Sequence, residues 1–326
     1  MPSSLSQAFD TLLDWTILFS FSRIGYLLRH NLWDTADLDS DMTGRTCVIT
    51  GANSGLGFAT SVHLAKLGAS VIMVARDPVE GQRAVDKAID RTSNPNVRLE
   101  VVDLSSLAAV RGFADRLLER EHRLDVLINN AGVLLSERQL SVDGFELSFA
   151  TNVLGPFLLT NLVTPLLARS ASARVVFVAS GGMYTQKLDV DDLQSEQGEF
   201  NGTVAYAQHK RAQVILTELW AERLAGTGVT ANAMHPGWVD TPGVRRSLPA
   251  FWKLMRPFLR SPEQGADTIV WLAVAPHLAS ESGRFWFDRR ARKTHKLART
   301  ISPPQDRWRL WGECVRLSGL AGTLDG

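Results

Sequence analysis

The chain has 326 residues with 35 Lys and Arg against 34 Asp and Glu, a formal net charge of +1, so its overall charge favours no nucleic-acid partner. Two cysteines, Cys47 and Cys314, and seven histidines without a Cys/His cluster or an H-E-x-x-H spacing exclude a disulfide framework and a recognisable metal site, which makes the reducing cytoplasm the expected setting. The length, with 45% hydrophobic residues, suffices for one large α/β domain.

Residues 5–28, from Leu5 through Trp15 and Phe21 to Leu28, are rich in large apolar side chains but carry Asp10, Asp14 and Arg23. The uncharged run between Asp14 and Arg23 is too short to span a bilayer, and its flanks do not resemble a cleavable signal. A helix packed on the domain or on a subunit partner is expected, with a peripheral, interfacial membrane helix as the sharper alternative. This sets off residues 1–43 as an N-terminal extension.

From Gly44 onward, short apolar runs alternate with longer helical periods, the pattern of βαβ units and a parallel sheet. Strands are predicted at about 45–50, 70–75, 97–102, 124–129, 173–179, 228–234 and 284–287. Helices are predicted at about 56–67, 78–90, 105–121, 142–169, 204–225 and 262–275. About seven strands with intervening helices predict one α/β domain over 44–287, a Rossmann-type doubly wound parallel sheet. Residues 288–326 form a second extension. It opens on a basic run, Arg289, Arg290, Arg292, Lys293, Lys296 and Arg299, and continues into a helical segment with Trp308, Trp311 and Val315. A charge run of this kind predicts a solvated face, and attraction to an anionic membrane is the alternative.

Thr50 to Gly57 lies between the first strand and the first helix, with Gly51, Asn53, Ser54, Gly55, Leu56 and Gly57 at the turn. Glycines there let the backbone approach a dinucleotide pyrophosphate, and the N-terminal N–H groups of the helix face its charge. The second strand ends without a carboxylate for a ribose 2′-hydroxyl. Arg76 follows it, and Asp77-Pro78-Val79-Glu80 reads as a helix cap, so Asp77 is assigned to capping and Arg76 to a 2′-phosphate. NADP(H) is therefore preferred over NAD(H). Asn129 to Gly132 closes the fourth strand and Ser180 the fifth, at the rim where open α/β sheets bind ligands. Tyr206 and Lys210 lie four apart on one helical face, where an ammonium can stabilise a phenolate. Tyr184, near Ser180, is the competing tyrosine and has no lysine four residues on.

Thr50–Gly57, Asn129–Gly132, Ser180 and Tyr206–Lys210 together resemble the short-chain dehydrogenase/reductase family over about residues 44–287, and within it the retinol-dehydrogenase-like branch. The resemblance implies a catalytic tetrad of Asn152, Ser180, Tyr206 and Lys210. Tyr206 would exchange a proton with the substrate oxygen, Ser180 would hydrogen-bond that oxygen, Lys210 would bind the nicotinamide ribose, and Asn152 would support a proton relay. It further implies that Asp103 meets the adenine, that Asn130 meets the adenosine-side ribose, with Ala131 and Gly132 also cofactor-binding, and that Val239 and Thr241 after Pro236-Gly237 hold the carboxamide. The loop 183–203 must then fold away without displacing Ser180. The apolar segment from Trp238 to Phe258 falls where this fold closes over substrate, so a lipophilic carbonyl or alcohol is expected, as for a carbonyl reductase. The resemblance also implies a homodimer through helices 142–169 and 204–225, unless the added termini cover that face. Two readings without turnover remain open, a cofactor-binding regulatory protein and a peripheral membrane scaffold.

Overall fold

The apolar runs form one eight-stranded sheet in the computed structural model, which describes residues 10–11, 13–14 and 16–320; positions 5–9, 12 and 15 of the apolar N-terminal segment lie outside them. The strands are β1 (Thr46–Thr50), β2 (Ser70–Ala75), β3 (Val97–Val101), β4 (Val126–Asn129), β5 (Ala173–Val178), β6 (Val229–Met234), β7 (Phe285–Phe287) and β8 (Arg290–Arg292), in the order β3-β2-β1-β4-β5-β6-β7-β8. All neighbours pair in parallel except β7 and β8. A parallel sheet is buried on both faces, which is why its central strands read as unbroken apolar runs.

Alternate residues along each strand feed two cores. Val48, Leu127, Val175 and Phe177 face one side, against α5 (Leu107–Arg120), α6 (Leu147–Leu167), α7 (Gly202–Arg223) and α11 (Pro304–Ser318). Cys47, Ile49, Ile128 and Val176 face the other, against α3 (Gly55–Lys66), α4 (Pro78–Thr92) and α10 (Pro262–Val274). Ahead of the sheet lie α1 (Ile17–Phe21) and α2 (Arg23–His30), and after β6 come the short α8 (Pro242–Ser247) and α9 (Pro249–Met255).

The predicted helix at 142–169 starts later, at Leu147, because the buried Glu146 carboxylate caps it by accepting from Ser148 N and Phe149 N. Inside it, Ala150–Leu154 is a π turn. This helix is long and apolar enough to cross a membrane, and most of it is buried within the protein. The outer side of α6 and α7 is occupied by α11, whose Trp311 meets Phe157 at 4.9 Å and Trp220 at 5.5 Å. The chain's own C-terminal helix thus packs on the helix pair expected to join two copies.

Beyond residue 287 the structure departs from the solvated basic face. An eighth strand, hidden by its arginines, turns back on β7 through Asp288-Arg289, both in the left-handed region with φ of 51° and 54°. Two positive φ values make the tight hairpin turn that Asn-Gly usually supplies, and no such dipeptide marks it here. Four of the six basic residues pair internally, while Lys293 and Arg299 stay exposed. Arg289 binds Asp267 at 2.8 and 2.9 Å, Arg292 and Arg290 bind Asp10, and Lys296 binds Asp14. Burial would raise the Asp10 carboxyl, but Arg292 and Arg29 outweigh it and bring it down to about 2. The N-terminal segment is therefore held on the sheet edge by charge as well as by apolar packing.

Candidate active site

Strand order reverses between β1 and β4, so the crevice for a ligand opens at the ends of those two strands. Thr50 locks this point: its Oγ1 accepts from Asn130 N at 2.9 Å and Ala131 N at 3.0 Å and donates to Ile128 O. Asn130 Nδ2 donates to Thr50 O at 2.7 Å and Gly51 O at 3.2 Å, so this side chain braces the glycine turn.

The turn fits a dinucleotide because its backbone cannot be crowded. A Cβ on Gly57 would lie 2.3 Å from Gly51 O, and Gly51 itself has φ +64°. Ser54 caps α3 with no side-chain bond to the helix, which leaves the first-turn N–H groups for an anion, and Asn53 beside it is exposed. Leu56 and Val239 both press on Gly265 of α10, and Thr241 lies beside Gly55, so the Pro236–Thr241 segment meets the glycine turn. Asp77 caps α4 from Val79 N and Glu80 N, as its sequence context predicts, and Arg76 is exposed beside it at the end of β2. Asp103 accepts from Ser105 N and Ser105 Oγ and shapes the turn after β3.

The four residues of the expected tetrad come together at the rim of β4 and β5. A Cβ on Gly132 would sit 3.3 Å from both Asn152 Oδ1 and Lys210 Nζ. Asn152 is fixed by paired bonds to Val133 N and O, both 2.8 Å. Lys210 Nζ lies 5.4 Å from the centre of the Tyr206 ring and donates to Val178 O at 2.8 Å and Gln213 Oε1 at 3.0 Å. Gln213 Nε2 then donates to Asn152 O, which lies within the π turn. Ser180 faces Tyr206 and favours its phenolate, and Ser180 Oγ accepts from Gly182 N at 3.2 Å.

The electrostatics of the protein alone differ from the expected lysine-activated phenol. Burial pushes Tyr206 up to about 12 against the opposing Ser180 side chain, and burial brings Lys210 down to about 7. A dry site disfavours both charges, so a low phenol pKa is not a property of these two side chains by themselves. Tyr184 is spent elsewhere: its hydroxyl donates to Lys293 O at 2.8 Å. The loop 183–203 folds away as required, tied by Arg211 to Met183 O and by Arg138 to Gln194 O.

Two contributors escaped the sequence reading. Gln213 stands three residues after Lys210 on the same helical face, a spacing that was available. His235 accepts from Gly181 N through Nδ1, and no local pattern announces that contact. Beyond the Pro236–Thr241 segment, α8 and α9 follow, and Ser247 of α8 donates to Leu134 O. Trp238 packs on Phe251 at 5.4 Å, Trp252 donates to Asp240, and Leu254 and Phe258 remain exposed. Among the described residues, no group of three or more His, Cys, Asp or Glu is placed to hold a metal.

Residues 45–250 match the short chain dehydrogenase family. The chain is 44% identical to dehydrogenase/reductase SDR family member 12 of Bos taurus over 295 residues, which covers 90% of this chain and 92% of that protein. It is 38% identical to human retinol dehydrogenase 13 over 289 residues, 85% of each chain. Among solved structures, it is similar to the RhlG/NADP active-site complex of Pseudomonas aeruginosa, with 27% identity, a TM-score of 0.62 and coverage of 76% of this chain and 96% of the other.

Proposed function

Because the chain belongs to the short-chain dehydrogenase/reductase family of NAD(P)-dependent oxidoreductases, we propose that it transfers hydride between NADP(H) and a lipophilic aldehyde, ketone or alcohol. The observation that carries this reading is the convergence of Asn152, Ser180, Tyr206 and Lys210 beside the strand-order reversal. A scaffold has no use for a buried lysine, a bridging glutamine and a phenol–hydroxyl pair in one place.

Gly51 to Gly57 would hold the pyrophosphate, Arg76 the 2′-phosphate, Asp103 the adenine side, and Val239 with Thr241 the carboxamide side. The cofactor, when bound, supplies or accepts the hydride. Tyr206 donates a proton to the substrate oxygen in reduction and takes it back in oxidation, and Ser180 hydrogen-bonds the same oxygen. Lys210 would hold the nicotinamide ribose, and Gln213, bonded to both Lys210 Nζ and Asn152 O, keeps the lysine in register. The exposed apolar Leu254 and Phe258 in the segment after Thr241 support a lipophilic substrate, and the name of the retinol dehydrogenase relative agrees with that class.

The test is NADPH and NADH consumption with a panel of long-chain aldehydes, all-trans-retinal, steroid ketones and hexoses. Turnover of an apolar carbonyl with NADPH preferred is expected, and Arg76→Ala narrows that preference. Tight NADPH binding with no consumption on any member favours the regulatory reading instead. A homodimer, if formed on this side, would be built over α11 and not on bare α6 and α7. We also assign a lipid surface to the outward apolar face of Ile17, Leu18, Phe19, Ile24, Leu27 and Leu28, to be checked by vesicle binding.

A further inference from the structure

Phe21, Arg260 and Asp288 lie outside the residues that match the family, yet they meet directly beneath the site. Arg260 is 1% exposed and uses its whole guanidinium. Nε is shared between Phe21 O at 3.1 Å and Ser22 O at 3.2 Å, Nη2 donates to Ser20 O at 3.0 Å, and Nη1 reaches Pro236 O at 3.4 Å. Both Nη atoms also bind Asp288, at 2.6 and 2.9 Å, and Arg29 holds the same carboxylate from α2. Burial would raise the Asp288 carboxyl, and the two guanidiniums hold it low. Gly237 makes room for this arginine: its φ is +81°, and a Cβ there would lie 2.4 Å from Arg260 Nε.

The grip is returned on the other side. Trp238 N donates to Phe21 O at 2.8 Å, and Arg260 N donates to Trp238 O at 2.8 Å. The Phe21 ring stands edge-to-face on His235 at 4.5 Å and on Trp238 at 5.9 Å. A Cβ on Gly181 would lie 2.8 Å from Phe21 Cε2 and 2.9 Å from His235 Nε2. His235 in turn accepts the Gly181 N–H at 3.0 Å, immediately after Ser180. One N-terminal ring therefore touches both the turn that carries Ser180 and the segment that leads to Val239 and Thr241.

We propose that Phe21 is a positioning residue of the reactive site, setting with Arg260 the spacing between the Ser180 turn and the Pro236–Trp238 segment. The N-terminal segment is then a working part of the site and not only an attachment. This inference rests on the reading of Ser180 and Tyr206 as the reactive pair.

The experiment compares the full-length protein with Phe21→Ala and the conservative Phe21→Leu, by site-resolved amide exchange, NADPH binding and all-trans-retinal reduction. In Phe21→Ala the amides of Gly181 and Trp238 exchange about tenfold faster or more, while Leu127 in β4 keeps its protection. NADPH affinity stays within about threefold, kcat/KM for retinal falls about 10- to 100-fold, and Phe21→Leu recovers most of both losses. If Phe21→Ala does not fold, a smaller acceleration confined to Gly181 and Trp238 in Phe21→Leu supports the proposal. Unchanged exchange at these two amides, or acceleration that includes Leu127 equally, overturns it. A wild-type protein that binds no NADPH defeats the reading of the site instead, and the exchange result still decides whether Phe21 orders the Ser180 turn.

Discussion

At the scale of single residues, the buried side chains around the site are tuned by exclusion of water. His209 and His235 are both drawn down by burial to about 3, and His235 stays a neutral acceptor for Gly181 N. Between that value and the ordinary one near 6.5, the unfolded chain binds protons that the folded chain refuses. Stability therefore falls as pH drops below about 6.5, with a slope approaching about 1.4 kcal/mol per pH unit for each histidine. Denaturant unfolding between about pH 4.5 and 6.5 measures it, and His209→Gln should lower the slope by up to about 1.4 kcal/mol per pH unit, the rest coming from His235 and from His63 and His295, which burial also lowers; an unchanged slope would place the acid sensitivity elsewhere. Tyr206, Lys210 and Ser180 were legible in the sequence because their spacing is local or tied to strand ends. His235 was not, because its partner Gly181 is 54 residues away and only the sheet brings them together.

At the scale of elements, β1 to β7 and the long helices between them follow from periodicity, since each βα unit repeats the same apolar logic, whereas the short α8 and α9 were not predicted. The hairpin of β7 and β8 was illegible because its turn contradicts local preference. Asp288 and Arg289 both adopt left-handed backbone, which costs about 1–2 kcal/mol per residue. Their side chains offset it: Asp288 lies between Arg29 and Arg260, and Arg289 reaches Asp267 and the Trp33 ring at 4.6 Å. Replacing the pair by Asn-Gly relieves the backbone but leaves the buried Arg260 and Asp267 without their charge partners, a loss of about 3–5 kcal/mol for breaking such a pair. The locally ideal turn should thus be less stable by about 2 kcal/mol or more in denaturant unfolding. A gain in stability would show that the ion pairs do not hold this turn.

At the scale of the whole molecule, the two extensions read from composition as separate additions are joined to the sheet and to each other. Asp10 pairs with Arg29, Arg290 and Arg292, and α11 lies over α6 and α7. The internal pairing of Arg289, Arg290, Arg292 and Lys296 leaves less positive charge for an anionic surface than the sequence suggests. Any vesicle binding should therefore come from the exposed apolar face of α1 and α2 and vary little with salt. Co-sedimentation with neutral and anionic liposomes checks this: comparable binding to both, weakened by Leu27→Glu with Leu28→Glu, is expected. Binding only to anionic vesicles that disappears with salt would return the role to the basic run, and no binding to either would remove the lipid surface from the account.

The central claim is that Tyr206, set by Ser180 and Lys210, is the proton donor and acceptor of a hydride-transfer site. It is tested most directly by Tyr206→Phe, measured for NADPH binding and for turnover of whichever apolar carbonyl the wild-type protein reduces. An NADPH dissociation constant within about threefold of wild type and turnover lower by about 100-fold or more are expected. Turnover by Tyr206→Phe at the wild-type rate, with cofactor bound equally well, would contradict it.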